Sequence, residues 1–287
     1  MTKCLLKIKN VMKVLFINHF RGPDYQNDMV YHGLVDYGFD VYETDYPGYM
    51  LSSYPNPQLL YGKGFTIFAK LNHTPNVESV EIVLEKISNR FYDCVIYGSV
   101  NRDLSYLDVV KKFYKKDEVY FIDGEDEVNC LEYLFEYGTY CKRECITSKV
   151  KPITFAIPES QLITATPEKT KLFGDIIPGA AYIFDNEKDY YQDYANSYYG
   201  MTYKKAGWDC LRHYEILANK CIPFFTDLEK CPPNTLLTFP KELILETNQY
   251  ARVNKIHPNY DKLNDELFNY TSNNLTTKHL IKQIFDK

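Results

Sequence analysis

The stretch Tyr199-Gly-Met-Thr-Tyr-Lys-Lys-Ala-Gly-Trp-Asp-Cys-Leu-Arg-His-Tyr-Glu-Ile-Leu-Ala-Asn-Lys-Cys-Ile-Pro-Phe-Phe225 carries the most information about the fold of this chain. Apolar residues recur at helical spacing between positions 211 and 218, and the run from Ile222 to Phe225 reads as a short strand. Gly207 and Trp208 lie where a turn would open the helix. The stretch therefore predicts a turn, a helix and a strand in that order.

Polar side chains in the same stretch suit a ligand with phosphates and hydroxyls. Lys204 and Lys205 precede the helix, and lysines beside a helix N-terminus form an anion site. Glu215, about one turn further along, offers a carboxylate that accepts hydrogen bonds from sugar hydroxyls. The sequence thus predicts a phosphate and a polyol bound side by side, as in a nucleotide sugar.

The run from Arg212 to Pro223 resembles the donor-binding motif of two-domain, GT-B type glycosyltransferases. Exostosin-like enzymes and relatives of spore-coat glycosyltransferases carry a similar pattern, R-x-x-E-x-L-x-x-G-x-I-P. The resemblance implies that Arg212 reaches the diphosphate and that Glu215 holds a ribose or sugar hydroxyl. Asn219 and Lys220 replace the usual small residue and Gly, a mild departure because Asn also tolerates a left-handed helix cap.

The resemblance implies a nucleoside-diphosphate sugar as substrate, with no cofactor required. Lys204, Lys205 and Arg212 are the predicted diphosphate ligands, because cations stabilise the charge that develops on the departing nucleotide. The alternative for these three residues is a solvated basic face. Lys142 and Arg143 are further candidates for the same diphosphate. The full set of predicted donor-binding residues is Lys142, Arg143, Lys204, Lys205, Gly207, Trp208, Arg212, His213 and Glu215.

An inverting transfer needs a base that deprotonates the acceptor hydroxyl. The predicted catalytic residues are His19, Asp123 and Glu125, which follow strands in the half expected to hold a glycan or glycoprotein acceptor. Asp123 or Asp126 has the alternative role of a helix N-cap. His213 either touches the donor or fills the seam between the domains. The sequence leaves open whether the reaction inverts or retains.

Strand and helix patterns alternate along the N-terminal half, which implies a largely parallel sheet with helices on both faces. The predicted strands are Lys13–Asn18, Phe39–Thr44, Tyr92–Tyr97 and Glu118–Ile122. The predicted helices cover Met29–Val35, Val80–Ile87 and Leu107–Phe113. In such sheets, functional residues gather at the carboxyl ends of the strands.

Leu162–Thr166 and Ala180–Phe184 are predicted strands of the second half, and a Tyr-rich helix follows from Glu187. Thr276 or Thr277 caps a final helix. The whole chain is accordingly predicted to be an α/β protein with two Rossmann-like domains that face a cleft. The acceptor-side domain comprises residues 1–150 and the donor domain residues 151–287.

The chain of 287 residues has a formal net charge of −5, which argues against a nucleic-acid-binding protein. It contains no run of the ~18 apolar residues that a membrane span needs. Met1–Val11 does not read as a signal peptide, so we expect a cytoplasmic protein. The eight cysteines are expected to be mostly reduced. Their spacing completes no four-ligand zinc set, and no metal is predicted.

Three alternatives remain open at this stage. A single-domain, metal-dependent (GT-A type) glycosyltransferase would use Asp123-Gly-Glu125 to hold a divalent cation against the diphosphate. A non-catalytic module would bind the nucleotide sugar without turnover. A hydrolase built on Cys210 and His213 is disfavoured, because the sequence has no nucleophile elbow.

Overall fold

Seven parallel strands form the larger of two sheets in the computed structural model, which describes residues 11–286. The strands are β1 (Lys13–Ile17), β2 (Asp40–Glu43), β3 (Asn76–Val77), β4 (Cys94–Tyr97), β5 (Val119–Asp123), β6 (Thr139–Lys142) and β7 (Lys151–Pro152). Their order across the sheet is β3-β2-β1-β4-β5-β6-β7. From β1 the chain adds β2 and β3 on one side of the sheet and then β4 to β7 on the other. This change between β1 and β4 is the topological switch point of doubly wound α/β folds.

Helices cover both faces of this sheet because its strands are apolar on both sides. Val14 and Phe16 point into one hydrophobic cluster, and Leu15 and Ile17 point into another. The helices that connect the strands are α1 (Tyr25–Tyr37), α2 (Val80–Ser88) and α3 (Leu107–Phe113). Helix α1 contributes to the first cluster, whereas α2 and α3 contribute to the second. The sequence prediction of a parallel sheet between helices is confirmed.

Three more parallel strands form a smaller sheet. These are β8 (Lys171–Phe173), β9 (Ser197–Thr202) and β10 (Ile222–Phe225), in the order β10-β9-β8. The helices of this half are α4 (Glu187–Ala195), α5 (Leu211–Ala218), α6 (Lys241–Ala251), α7 (Tyr260–Asn274) and α8 (Thr277–Phe285). The cluster on the α1 face of the larger sheet continues into β9, β10 and α5. The two sheets therefore share one core.

Two strand predictions in the second half are wrong. Residues 162–166 and 180–184 form no strand, and β8 and β9 lie elsewhere in the chain. The apolar side chains of Tyr182 and Ile183 are exposed on a loop, so their hydrophobicity misled a pattern-based assignment. The predictions for α3 and β10 are confirmed at both ends. No helix within residues 11–286 has the length and apolarity needed to span a membrane.

The last helix, α8, returns to the larger sheet and packs against α1. Gly33 permits this contact, because a Cβ at that position would lie 2.4 Å from the Thr277 carbonyl oxygen and 2.7 Å from Ile281 Cγ1. His32 Nδ1 lies 3.4 Å from Thr277 Oγ1 in the same interface. The close approach of the two backbones ties the C-terminus to the first helix.

We expect Gly33→Ala to lower the free energy of unfolding by about 1–3 kcal/mol through overpacking. The sign is diagnostic, because the same change in an unobstructed helix stabilises by roughly 0.5–1 kcal/mol. Urea denaturation followed by circular dichroism gives the measurement. Gly22→Ala is the control, since a Cβ there meets nothing within 4 Å. A stabilised Gly33→Ala variant would contradict the packing of α8 on α1.

Candidate functional site

Asp123 ends β5 in a fully bonded environment. Its Oδ1 accepts hydrogen bonds from Lys142 Nζ at 2.8 Å, the Glu125 amide at 3.1 Å and Asn101 Nδ2 at 3.4 Å. Its Oδ2 accepts one from the Tyr140 hydroxyl at 2.5 Å. Both carboxylate oxygens are thus engaged, and the charge is balanced by Lys142. This geometry favours a structural role for Asp123 and Lys142 over the predicted roles of base and phosphate ligand.

Arg143, at the end of β6, is also buried and surrounded by acceptors. Its guanidinium stacks 4.5 Å from the centre of the Phe155 ring. Its acceptors are Gly124 O at 2.8 and 3.0 Å, Asp209 O at 2.6 Å, Glu144 Oε1 at 2.9 Å and Asp126 Oδ1. They belong to the β5–β6 loop, the residue after Arg143, and the loop before α5. Arg143 therefore joins the two halves of the chain.

A cavity of about 330 Å³ opens beside this network, a volume at the lower end of the range of small-molecule sites. It lies where the loop after β5 meets the loop after β9. The residues that carry its chemistry are Asp126, Glu127, Asn129, Glu144, Lys204 and Trp208. Lys204 Nζ lies 5.9 Å from the Trp208 ring and donates to Ala206 O at 2.9 Å. The lining is an aromatic ring with an excess of carboxylates.

Gly207 and His213 contact residues that line this cavity. A Cβ on Gly207 would come within 2.6 Å of Asp126 Oδ1 and Glu144 Oε1. His213 Nε2 lies 2.9 Å from the Trp208 carbonyl oxygen, so Nε2 carries the proton, and Nδ1 accepts from Thr202 Oγ1 at 2.9 Å. Burial lowers the pKa of His213 to about 3. His213 is therefore a neutral residue that holds the Trp208 loop.

Arg212 and Glu215 lie on α5, beside a separate and much smaller cavity that Arg212 lines. Glu215 is buried and accepts hydrogen bonds from the Tyr190 hydroxyl at 2.7 Å and from Thr66 Oγ1. Burial raises the pKa of its carboxyl group. Arg212 Nε and Nη1 are buried without a hydrogen-bond partner in the described part of the chain. A carboxylate that binds hydroxyls thus lies one helical turn from a guanidinium with two buried, unpartnered nitrogens.

The predicted site residues therefore fall into separate groups. Lys204 and Trp208 line the larger cavity, and Arg212 lines the smaller one. Gly207, Arg143 and His213 contact residues of the larger cavity's lining without lining it themselves. Lys142 is paired with Asp123, and Glu215 lies one turn from Arg212 on α5. Lys205 and Glu125 are exposed. His19 follows β1, which β4 separates from β5 and Asp123.

The sequence interpretation missed several residues that contribute to these sites. Glu144, Glu127 and Asn129 line the larger cavity, and their position just after β5 and β6 was an available signal. Thr66 and Tyr190 bond to Glu215 from distant positions in the chain, which no local pattern reveals.

Comparisons with protein-family models, curated proteins and solved structures found no match to this chain. The resemblance of Arg212–Pro223 to a donor-binding motif consequently depends on those residues alone. Any functional conclusion has to come from the geometry of the two cavities.

We expect Arg143→Met to lower the free energy of unfolding by about 3–5 kcal/mol. The substitution removes the buried cation that pairs with the carboxylates of Asp126 and Glu144 and leaves their charges unbalanced. Arg252→Met is the matched control, since Arg252 is exposed in its pair with Glu229 and such pairs contribute about 0–1 kcal/mol. Chemical denaturation measures both. Equal, small losses in the two variants would instead favour the predicted phosphate-binding role of Arg143.

His213 gives a pH test of the same region. Its folded pKa of about 3 is below the value of about 6.5 in an unfolded chain, so the unfolded state binds more protons between these pH values. The wild-type advantage over His213→Gln should therefore shrink by about 1.4 kcal/mol per pH unit as pH falls from 6 to 4. Denaturation curves of both proteins measure this difference, and a constant gap would mean that His213 is not buried and neutral.

Proposed function

We propose that the protein is a glycosyltransferase that moves a sugar from a nucleoside-diphosphate sugar to a hydroxyl of a glycan or glycoprotein. The observation that carries this proposal is the pair Arg212 and Glu215. Glu215 already accepts two hydroxyl hydrogen bonds, and Arg212 has two buried nitrogens without a partner among the described residues. A ligand with hydroxyls and phosphates next to one another matches both needs.

Under this proposal the two sheets belong to two Rossmann-like domains of GT-B type, residues 1–150 on the acceptor side and 151–287 on the donor side, which pack together through the shared core on the α1 face of the larger sheet. The larger cavity is then the cleft between them. Its place at the carboxyl ends of parallel strands supports this assignment, because ligands bind there in α/β folds. Trp208 offers a ring face to a sugar, and Glu144 offers a hydroxyl acceptor.

In the proposed reaction, a base removes the proton of the acceptor hydroxyl, whose oxygen attacks the anomeric carbon. The bond from that carbon to the diphosphate breaks, and Arg212 stabilises the charge on the leaving group. Glu125 stays a predicted base, and the cavity-lining Glu127 joins it. Asp123 is a weaker choice, since its oxygens are already bonded.

The metal-dependent alternative receives less support. A cation at Asp123-Gly-Glu125 would have to displace the Lys142 ammonium, which lies 2.8 Å from Asp123 Oδ1. Activity that survives excess EDTA would exclude it.

The seven cysteines of residues 11–286 are free thiols, which suits the proposed cytoplasmic location.

Calorimetry with UDP, GDP and dTDP sugars tests the proposal. We expect one donor to bind, Glu215→Gln to weaken that binding at least tenfold, and Arg212→Gln to lower turnover by roughly 10²-fold, the effect of losing one charge-stabilising group. Arg252→Gln is the control, because Arg252 is an exposed residue at the C-terminal end of α6. This substitution should leave donor affinity and turnover unchanged. If no donor binds the wild-type protein, the proposal fails. Binding without transfer or donor hydrolysis would favour the non-catalytic module.

A further inference from the structure

Two segments, one from each half of the chain, close the site of Arg212 and Glu215. We name residues 61–70 the gate segment and residues 176–184 the cover loop. The cover loop and Arg212 line a small cleft with room for about one water molecule, about 20 Å³. Nε and Nη1 of Arg212 are buried beneath its lining. A phosphate can therefore bond to these nitrogens only if the residues that cover them move.

The gate segment occupies Glu215. Thr66 Oγ1 donates to Glu215 Oε1 and also contacts the Tyr191 hydroxyl. It thus takes the position on the carboxylate that a ribose or sugar hydroxyl would need. The Thr66 hydroxyl acts as an internal substitute for the ligand.

The closed arrangement carries visible conformational costs. Thr66 is β-branched and has a φ of 75°, a backbone conformation that costs such a residue of order 1–3 kcal/mol. In the cover loop, Ile177 and Ile183 are 58% and 59% exposed, while Arg212 beneath keeps two unpartnered nitrogens. These costs reduce the free energy by which the closed conformation is favoured over one that a ligand at Arg212 would select.

The two segments are braced against each other. Lys63 Nζ lies 2.6 Å from Asp185 Oδ1, directly after the cover loop. The Phe65 ring lies 6.1 Å from Tyr182 of the cover loop and 5.3 Å from Tyr190. Since Tyr190 both lines the small cavity and bonds to Glu215, movement of one segment loosens the other.

We propose that the gate segment and the cover loop form a gate that the Thr66 hydroxyl holds closed through its bond to Glu215, and that a ligand with a phosphate at Arg212 binds by opening both segments together. The proposal rests on the proposed function only for the identity of that ligand, a nucleoside-diphosphate sugar. The measured affinity for the ligand is then the affinity of the open conformation multiplied by the fraction of molecules that are open.

Thr66→Val tests the gate, because valine keeps the shape and the β-branch and removes only the hydroxyl. It should bind inorganic pyrophosphate, and UDP, about tenfold more tightly than the wild type, since a bond to a charged group no longer holds the closed state. Thr66→Ser keeps the hydroxyl and should bind no more tightly than the wild type. Lys63→Gln, which removes an exposed brace, should give a gain of about twofold. Calorimetry measures all four proteins.

Hydrogen exchange supplies a second readout that does not depend on any variant. Bound pyrophosphate should increase amide exchange in residues 61–70 of the wild-type protein, because a phosphate at Arg212 moves the cover loop and, with it, the gate segment that contacts it. Unchanged or weaker pyrophosphate binding by Thr66→Val, or slower exchange in the gate segment, would overturn the gate. Tighter pyrophosphate binding by Thr66→Val without binding of any nucleotide would leave the gate standing and remove the proposed function.

Discussion

The buried guanidinium of Arg143 is the interaction on which the arrangement of the two halves depends. Each of its three nitrogens has an acceptor, and these acceptors come from the loop after β5, from Glu144 and from the loop before α5. A buried cation is tolerated only with such partners. Asp126, Glu144 and Gly207 must therefore lie where they do, and the close approach at Gly207 leaves no space for a side chain.

This use of Arg143 determines the charge of the larger cavity. Lys142 pairs with Asp123, and Arg143 pairs with Asp126 and Glu144. The charge of these two cations is therefore not available to a ligand. Lys204 is the basic residue in the lining, against three carboxylates. Carboxylates accept bonds from hydroxyls and repel phosphates. Under the proposed function the sugar and acceptor belong in this cavity, and the diphosphate belongs near Arg212.

Local patterns were sufficient for much of the fold. The periodicities that define α2, α3 and β10 lie within each segment. Helix α1 ends at Gly38, whose φ of 84° is the left-handed conformation that glycine readily adopts after a helix. Patterns failed where tertiary packing decides. Tyr182 and Ile183 read as a strand, but they cover Arg212 from a loop. For the candidate site, Arg212 and Glu215 stay predictions of the sequence. The sequence could not show that Asp123 pairs with Lys142, because that contact forms only when β5 and β6 align.

The two arginines Arg143 and Arg212 of the predicted donor site differ in whether their buried nitrogens have hydrogen-bond acceptors. Arg143 has a complete set of acceptors, which is what stability requires of a buried charge. Arg212 lies on α5, and its Nε and Nη1 are buried without a hydrogen-bond partner among the described residues. Unpartnered buried donors lower the stability of the fold. Under the proposed function, the phosphate oxygens of the ligand supply the acceptors for Nε and Nη1 of Arg212.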